Sequence, residues 1–230
     1  MNKYALFIKL IHRNCPVVLI NLLDCWYLKI FTCVKWGSCF SSFVELKTGT
    51  RQGGIISPTL FSVFIDDVLI KLQKSGLGGH IHNLSLNAFM YADDLLLLSI
   101  SLSDLQSMID ICKSEFDWLD MSVNASKSMS IRVGKRFDAR VGNITIGSNS
   151  INWCKELQYL GVVIVSGKSF NYDLHNTKLK YFRALNGLLG KMGSSPNIQL
   201  TLSLINSFCT PVLCYGIEAM LLTKMQLSIV

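Results

Sequence analysis

The stretch FMYADDLLLLS, residues 89–99, decides how the chain folds. Two short apolar runs, residues 84–91 and 95–99, flank the Ala-Asp-Asp tripeptide at 92–94, and this pattern predicts a tight β-hairpin with acids at its tip. Adjacent carboxylates beside apolar strands are costly unless a cation neutralises them, and Mg²⁺ prefers such oxygen ligands. A solvent-exposed turn built from ordinary turn residues explains the same pattern, so both interpretations stay open.

Apolar residues at helical spacing predict four helices around this hairpin. In the clearest of them, Ser57 is the expected N-cap, Pro58 the first helical residue, and Gly76 the stop. Strand-like runs at 30–36 and 42–48 predict a second hairpin, with its turn near CFSS at 39–42. The four helices are expected at 4–13, at 16–30 with Pro16 at the start, at 57–75, and from a Ser103 cap to Leu119.

The second half of the chain is less regular. Short strands are predicted at 128–133, 143–146, 150–153 and 157–165, separated by Gly, Asn and Ser. The pattern becomes helical again from Asp173, and a boundary is expected near 166–172. The fold class predicted from these elements is α+β.

Composition excludes a disordered chain, because 50% of the 230 residues are hydrophobic and only 16% are charged. The mean hydropathy of +0.38 raises the question of a membrane. However, Asp24 and Lys29 interrupt the longest apolar stretch, residues 15–34, so we expect no membrane span. The eight cysteines form no CxxC pair and no secretory signal is evident. We therefore expect an intracellular protein, nuclear or cytoplasmic and not secreted, with reduced and mostly buried thiols.

Charge is distributed unevenly along the chain. Residues 1–120 contain ten basic and eleven acidic residues, whereas residues 121–230 contain twelve basic and four acidic residues. The entire basic excess therefore lies in the second half. Such an asymmetry is typical of a surface that binds an anionic partner, most often nucleic acid, although a merely solvated basic surface explains it equally well.

Four motifs occur in a fixed order between residues 49 and 165 and together resemble the reverse transcriptases of non-LTR (LINE-type) retrotransposons. The Tyr91–Asp94 segment resembles the YxDD catalytic hairpin of that family. The segment GTRQGGIISPTLFSVFIDDVL at 49–69 resembles the template- and nucleotide-contacting segment. The segments NASKS at 124–128 and LQYLGVVI at 157–164 resemble the palm Asn-x-x-Lys-Ser element and the hairpin that grips the primer end.

The resemblance implies roles for individual residues. Asp93 and Asp94 would be ligands of Mg²⁺ or Mn²⁺, with Asp93 the more direct, and Lys127 would act as a cation or general acid near the leaving phosphate. We interpret Asp66 and Asp67 as a polar helix face, not as metal ligands. The nucleotide- and template-binding residues would be Arg51, Gln52, Gly53, Gly54, Ser57, Pro58 and Tyr91, and the primer-grip residues would be Tyr159, Leu160 and Gly161.

The resemblance also implies an architecture and partners. Residues 1–166 would form a partial polymerase palm, an antiparallel sheet with packed helices, with a remnant of the connection to the fingers at 1–48. Residues 167–230 would form a helical thumb-like region, because FCTPVLCYG at 208–216 resembles a later thumb segment. The partners would be an RNA template, a DNA primer and deoxynucleoside triphosphates.

One departure from the family pattern bears on activity. Reverse transcriptases carry a third metal-binding carboxylate on an earlier palm strand, and the resemblance implies that this strand would lie just before Met1. We therefore expect a fragment whose template-directed DNA synthesis is impaired. A non-catalytic nucleic-acid-binding remnant of a decayed retroelement is the alternative.

Overall fold

The computed structural model describes residues 2–28, 30–46, 53–82, 84–193, 197–220 and 222. The chain divides into two compact units. Unit 1 comprises Met1–Ser128 and Asn143–Ile151, and unit 2 comprises Met129–Gly142 and Asn152–Val230. The division into palm and thumb at 166/167 stays a prediction.

The core of unit 1 is formed by three helices that pack their apolar faces together. Leu6 on the first, Phe64 and Leu72 on the third, and Met108 on the fourth are fully buried. Each such side chain contributes roughly 1.5–3 kcal/mol by leaving water. The helices of this unit are α1 (Lys3–His12), α2 (Val17–Leu28), α3 (Ser57–Lys74) and α4 (Leu102–Trp118).

The helices occur where the sequence predicts them, but all four starts differ by one or two residues, and α1 begins at Lys3 instead of Tyr4. Ile56 occupies the N-cap position of α3, so Ser57 is the first helical residue and Pro58 the second. The reason is that the Ser57 N–H already bonds the Gly54 carbonyl in a preceding turn (3.2 Å). Ser101, not Ser103, caps α4 by accepting the Asp104 N–H. Pro16 lies one residue before α2, and Gly76 ends α3 with φ of 68° as predicted.

Two antiparallel hairpins flank α3 along the chain, the first before it and the acidic hairpin after it. The first is confirmed, but its turn lies at Gly37–Ser38, just before CFSS, because Gly37 supplies the positive φ of 60°. The strands in the first 128 residues of unit 1 form four antiparallel pairs: β1 (Phe31–Thr32) with β4 (Val44–Glu45), β2 (Lys35–Trp36) with β3 (Cys39–Phe40), β5 (His80–Ile81) with β6 (Leu84–Ser85), and β7 (Ala88–Tyr91) with β8 (Asp94–Leu97).

Unit 2 combines a small sheet with a helical end. Strands β12 (Glu156–Tyr159), β13 (Val162–Val165) and β14 (Asn171–Asp173) form an antiparallel meander. Three further strands are β9 (Met129–Ser130), β10 (Ile144–Ile146) and β11 (Asn149–Trp153), of which β10 belongs to unit 1. Strand β10 pairs antiparallel with the first three residues of β11. Strand β9 pairs parallel with the last two residues of β11. The helices are α5 (His175–Met192), α6 (Ile198–Leu204), a π-helical turn (Ile205–Cys209), α7 (Thr210–Cys214) and a 3₁₀ turn (Ile217–Ala219). The predicted mixture of helix and sheet is confirmed.

The segment Ile198–Ala219 is long and apolar enough, by length and composition, to cross a membrane. Its backbone is not one continuous helix, however. Tyr215 is extended (φ −60°, ψ 120°) and Gly216 is left-handed (φ 74°). The uninterrupted helical part, residues 198–214, is shorter than the roughly 20 residues that a typical span needs.

The cysteines differ from the sequence-based expectation. All eight are free thiols, but only Cys112 and Cys209 are buried. Burial raises the pKa of Cys112 to about 12, so this thiol stays protonated. The expectation that most are buried is wrong, because apolar α2 and the first hairpin expose much of their surface.

A buried lysine ties α1 to α3. Lys9 is 3% exposed; its ammonium group donates to the Phe64 carbonyl (2.7 Å) and lies 2.8 Å from the Asp67 carboxylate. Asp66 in turn accepts from Arg13 (2.8 Å). Both acids therefore have structural partners on α1. Burial alone would raise the pKa of Asp67, but the Lys9 hydrogen bond and the charges of Lys9, Arg13 and Lys71 outweigh it and lower that pKa.

We expect Asp67→Asn to destabilise unit 1 by about 2 kcal/mol, because it leaves the buried Lys9 ammonium without its counter-charge. Since the folded-state pKa of Asp67 is lowered, its contribution is present above the unfolded value of 3.8 and is lost as the pH falls through the folded value. Urea denaturation at pH 7 and near pH 3, followed by tryptophan fluorescence, checks both points. Asp66→Asn, which removes a more exposed pair, is the matched control and should cost less than about 1 kcal/mol. Equal losses for the two variants would contradict this account.

Candidate active site

The acidic turn lies at the solvent-exposed end of the β7–β8 hairpin. Tyr91 pairs with Asp94, so Ala92 and Asp93 form a two-residue loop. Ala92 has a φ of 52°, a conformation that is strained for a residue with a Cβ atom. The side chains of Tyr91, Asp93 and Asp94 are all exposed. Both carboxylates are therefore accessible to a cation or a phosphate-bearing substrate.

A buried asparagine fixes the other end of this hairpin to α3. The Asn87 side chain is 1% exposed, and its Nδ2 donates to the carbonyls of Leu72 (2.7 Å) and Leu77 (3.1 Å) at the end of the helix. The backbone carbonyl of Asn87 accepts the Leu98 N–H (2.8 Å). The hairpin thereby starts from a rigid base.

Gly78 allows the close approach at this base. A Cβ atom there would lie 2.6 Å from the Asn87 Cβ and 2.7 Å from the Leu98 carbonyl oxygen, and its φ is 88°. No side chain fits at this position. Sequence reasoning missed both Asn87 and Gly78, although the cluster of glycines at 76–79, directly after a helix, was a visible signal.

A groove of about 360 Å³ runs between α3 and the acidic hairpin. It brings Pro58 and Tyr91, two residues predicted for nucleotide or template contact, to the same surface. Ala92 of the acidic turn also lines it. The remaining lining residues are Phe61, Ser62, Ile65, Asp66, Leu69 and Met90.

Of the other predicted nucleotide-binding residues, Ser57 is the first residue of α3 and the remaining four precede the helix. Arg51 and Gln52 lie outside the described residues. Gly53 has a φ of 78° with open space around its Cα, which fits a site where a partner backbone or base comes close. Gly54 accepts the Ser57 N–H in the turn that leads into the helix.

Lys127 belongs to a turn organised by Asn124. The Asn124 side-chain oxygen accepts from the Lys127 N–H (3.2 Å) and from the Ser126 hydroxyl (2.7 Å), and the Asn124 carbonyl accepts from Ser128. The Lys127 side chain is exposed. Hydrogen bonds to Asn124 therefore explain why the polar residues of the NASKS motif occur together. They also hold the Lys127 backbone in an ordered turn.

The predicted primer-grip residues form a tight hairpin turn in unit 2. Tyr159 pairs with Val162 across it, and both central residues have positive φ values, 47° for Leu160 and 85° for Gly161. This is the signature of a type I′ turn, which matches the twist of the two strands. Glycine suits the second position because it adopts positive φ without strain.

The chemistry of the acidic turn fits a hard divalent cation. Two adjacent, exposed carboxylates offer oxygen donors, and Mg²⁺ commonly takes one or two carboxylates together with water and substrate phosphates. Within the described part of the chain, no group of three or more His, Cys, Asp or Glu side chains is placed to hold a metal ion. Asp93 and Asp94 would thus share the ion with a substrate.

The two units differ sharply in their electrostatics. Unit 1 contains eleven basic and eleven acidic residues, whereas unit 2 contains eleven basic and only four acidic residues, so the whole net charge of +7 belongs to unit 2. All ion pairs found among the described residues lie in unit 1. The described cations of unit 2 thus have no carboxylate within 4 Å, and they are available to an anionic partner.

Comparison with known proteins decides the family. The sequence model described as "Reverse transcriptase (RNA-dependent DNA polymerase)" matches residues 5–164, well over half of the chain. The chain belongs to the reverse transcriptase family. The four motifs, including the acidic hairpin, all lie within these matched residues.

Relatives of this chain come from non-LTR retrotransposons. The Pol polyprotein of the type-1 element R2 of Popillia japonica is 37% identical over 89 residues, which cover 38% of this chain and 12% of that protein. The RNA-directed DNA polymerase of the mobile element jockey of Drosophila funebris is 27% identical over 150 residues, covering 62% of this chain and 16% of that protein. The Pol polyprotein of the type-2 element R2DM of Drosophila melanogaster is 29% identical over 135 residues, which cover 55% of this chain and 12% of that protein. The chain thus spans less than a fifth of the length of these relatives.

We expect Asn87→Ala to destabilise the acidic hairpin by about 2 kcal/mol, because it removes two hydrogen bonds made by a buried amide, one to the Leu72 carbonyl and one to the Leu77 carbonyl. Native-state hydrogen exchange of the β7–β8 amides, together with urea denaturation, measures the loss. Asn149→Ala, at an exposed position on β11, is the matched control and should change stability by less than about 0.5 kcal/mol. If Asn87→Ala behaves like the control, Asn87 is not what fixes the hairpin.

Proposed function

We propose that this chain is part of a polymerase that extends a DNA primer on an RNA template by transfer of nucleotidyl groups from deoxynucleoside triphosphates. One observation carries the proposal: two exposed, adjacent carboxylates lie at the tip of a hairpin beside an open groove. Phosphoryl transfer depends mostly on positioning and charge neutralisation, which such a site can supply. The family membership and the electropositive unit 2 support the same reaction.

Each residue of the site has a role that suits its chemistry. Asp93 and Asp94 would hold Mg²⁺ or Mn²⁺, which when bound supplies charge neutralisation at the primer 3′-hydroxyl and at the leaving pyrophosphate. Lys127 would donate a proton or a positive charge to the leaving phosphate. The exposed Tyr91 ring would pack beneath the primer end or its sugar. Arg51 would pair with a phosphate through its planar fork, and Gln52 would contact the template or the nucleotide.

The family description extends to the architecture. We assign residues 1–166 to a partial palm with remnant finger connection at 1–48, because this part carries the acidic hairpin and the groove. Residues 167–230 are assigned to a thumb-like region, since α5, α6 and α7 follow the last sheet. The turn at Tyr159–Gly161 would contact the primer end.

The charge balance of the metal site predicts impaired catalysis by these 230 residues alone. Two divalent cations bring four positive charges, and Asp93 and Asp94 bring at most two negative ones. A further carboxylate, supplied from outside these residues, would hold the catalytic ion in its geometry. Without that carboxylate, the 230 residues assayed alone would lack several kcal/mol of transition-state stabilisation, or roughly a thousandfold or more in rate.

A second function, nucleic-acid binding without catalysis, is favoured by the charge of unit 2. A unit whose sequence has eleven basic and four acidic residues would attract phosphate backbones whether or not a metal site is complete. In that case the chain would hold a template or duplex and transfer no nucleotide.

Primer extension separates the two functions. The 230-residue chain and a fusion carrying the carboxylate strand of a full-length non-LTR reverse transcriptase before Met1 are compared on an annealed DNA primer and RNA template over a titration of Mg²⁺ and Mn²⁺. We expect the fusion to extend the primer at least about a thousandfold faster. Asp93→Asn should abolish that activity, whereas Asp138→Asn, which removes a carboxylate from an exposed loop of unit 2, should leave it unchanged.

Equal extension by the bare chain and the fusion would refute the charge-balance argument. Unchanged activity of the Asp93→Asn fusion would refute the site itself. If neither protein extends the primer but both bind the duplex with a steep salt dependence, the second function is supported.

A further inference from the structure

The end of the helical segment in unit 2 is fastened to the Leu160–Gly161 turn. The Tyr215 hydroxyl donates a hydrogen bond to the Leu160 carbonyl (2.9 Å), although 55 residues separate them in the chain. The Tyr215 ring lies over Gly161, where an added Cβ atom would come within 3.1 Å of the ring carbon Cε1. Gly216 then lies against Val162, and a Cβ atom there would be 3.1 Å from the valine Cγ2. We call these contacts the tyrosine clasp.

The sequence before Tyr215 explains how it reaches the turn. Pro211 has no N–H and its ring clashes with a carbonyl four residues back in a regular α-helix. The chain widens into the π-helical turn Ile205–Cys209 immediately before it, and the Thr210 N–H bonds the Ile205 carbonyl five residues back. The additional residue turns the following helix by about 100° relative to an unbroken α-helix. This turn sets the direction in which Tyr215 leaves α7.

The clasp is a directional contact more than a packing contact. The tyrosine is 58% exposed, so its ring is not needed to fill a core. The partner turn is intrinsically strained, because Leu160 has a side chain and a positive φ. A hydrogen bond to the carbonyl of that residue and a ring over the adjacent glycine both hold the turn in its observed conformation.

We propose that Tyr215 is a positioning residue that fixes the Leu160–Gly161 turn for contact with the 3′ end of a DNA primer. The inference rests on the proposed polymerase function, in which this turn grips the primer. Tyr215 acts on the primer only indirectly, through the turn. Its hydroxyl donates to the Leu160 carbonyl, and this hydrogen bond joins the turn to the end of α7. Glycine is favoured at 161 and at 216 because both have a positive φ, 85° and 74°, and because an added Cβ atom at either would crowd its neighbour at 3.1 Å.

Two measurements on the 230-residue chain test the proposal, with Tyr215→Phe as the variant and Tyr181→Phe on α5 as the matched control. The first is hydrogen exchange of the amides at 160–163. The second compares the affinity for an RNA–DNA hybrid with a recessed DNA 3′ end against that for a continuous hybrid of the same length. For Tyr215→Phe we expect exchange to become about fivefold faster, the loss of one neutral hydrogen bond. We also expect a loss of about threefold or more in preference for the recessed end, with unchanged affinity for the continuous hybrid.

Unchanged exchange at 160–163 would overturn the clasp whatever the binding data show. Faster exchange with an unchanged preference for the recessed end would overturn the positioning role. If the wild-type chain itself shows no such preference, the primer-grip assignment fails and the positioning role falls with it, while the exchange data still report on the clasp. Gly161→Ala is the second variant: it should reproduce the Tyr215→Phe effect, and its effect should shrink in a Tyr215→Ala background.

Discussion

The bond between the Asn87 side chain and the end of α3 is the interaction on which the candidate active site depends. It bonds the Leu72 carbonyl in the last turn of α3 and the Leu77 carbonyl just after the helix, and it fixes the start of the strand that leads to Asp93 and Asp94. The glycine at 78 makes this close approach possible. With its base held in the core, the hairpin can carry two carboxylates at an exposed tip without those charges disturbing the packed helices.

Charge is divided between the two units in a way that suits a nucleic-acid enzyme. In unit 1 the cations largely serve the fold, as the buried Lys9 does when it joins the Phe64 carbonyl and Asp67. The described cations of unit 2 have no such carboxylate partners, and the unit carries the full net charge of the chain. Cations that form no internal ion pair break none when they meet a phosphate backbone, so electrostatic affinity costs little in stability.

Local patterns predicted much of this structure, and contacts between distant residues account for what they missed. Helical periodicity and the acidic tripeptide predicted α3 and the β7–β8 hairpin, because both depend on neighbours in the sequence. The N-cap of α3 is Ile56 and not the predicted Ser57, because the Ser57 N–H bonds the Gly54 carbonyl in a preceding turn. The contacts of Asn87 and Tyr215 were not predicted, since their partners Leu72 and Leu160 lie 15 and 55 residues away. The roles of Asp93, Asp94 and Lys127 stay predictions of the family resemblance.

The central claim is that the Asp93–Asp94 turn binds the catalytic divalent cation, and paramagnetic broadening by Mn²⁺ in the NMR spectrum of the isotopically labelled chain tests it most directly. Our account predicts that the amide signals of residues 91–95 broaden first as Mn²⁺ is added. It also predicts that this local broadening disappears in a variant with both Asp93→Asn and Asp94→Asn. Broadening centred on other carboxylates, such as Asp104 or Asp110, or broadening of residues 91–95 that persists in the double variant, would contradict the account.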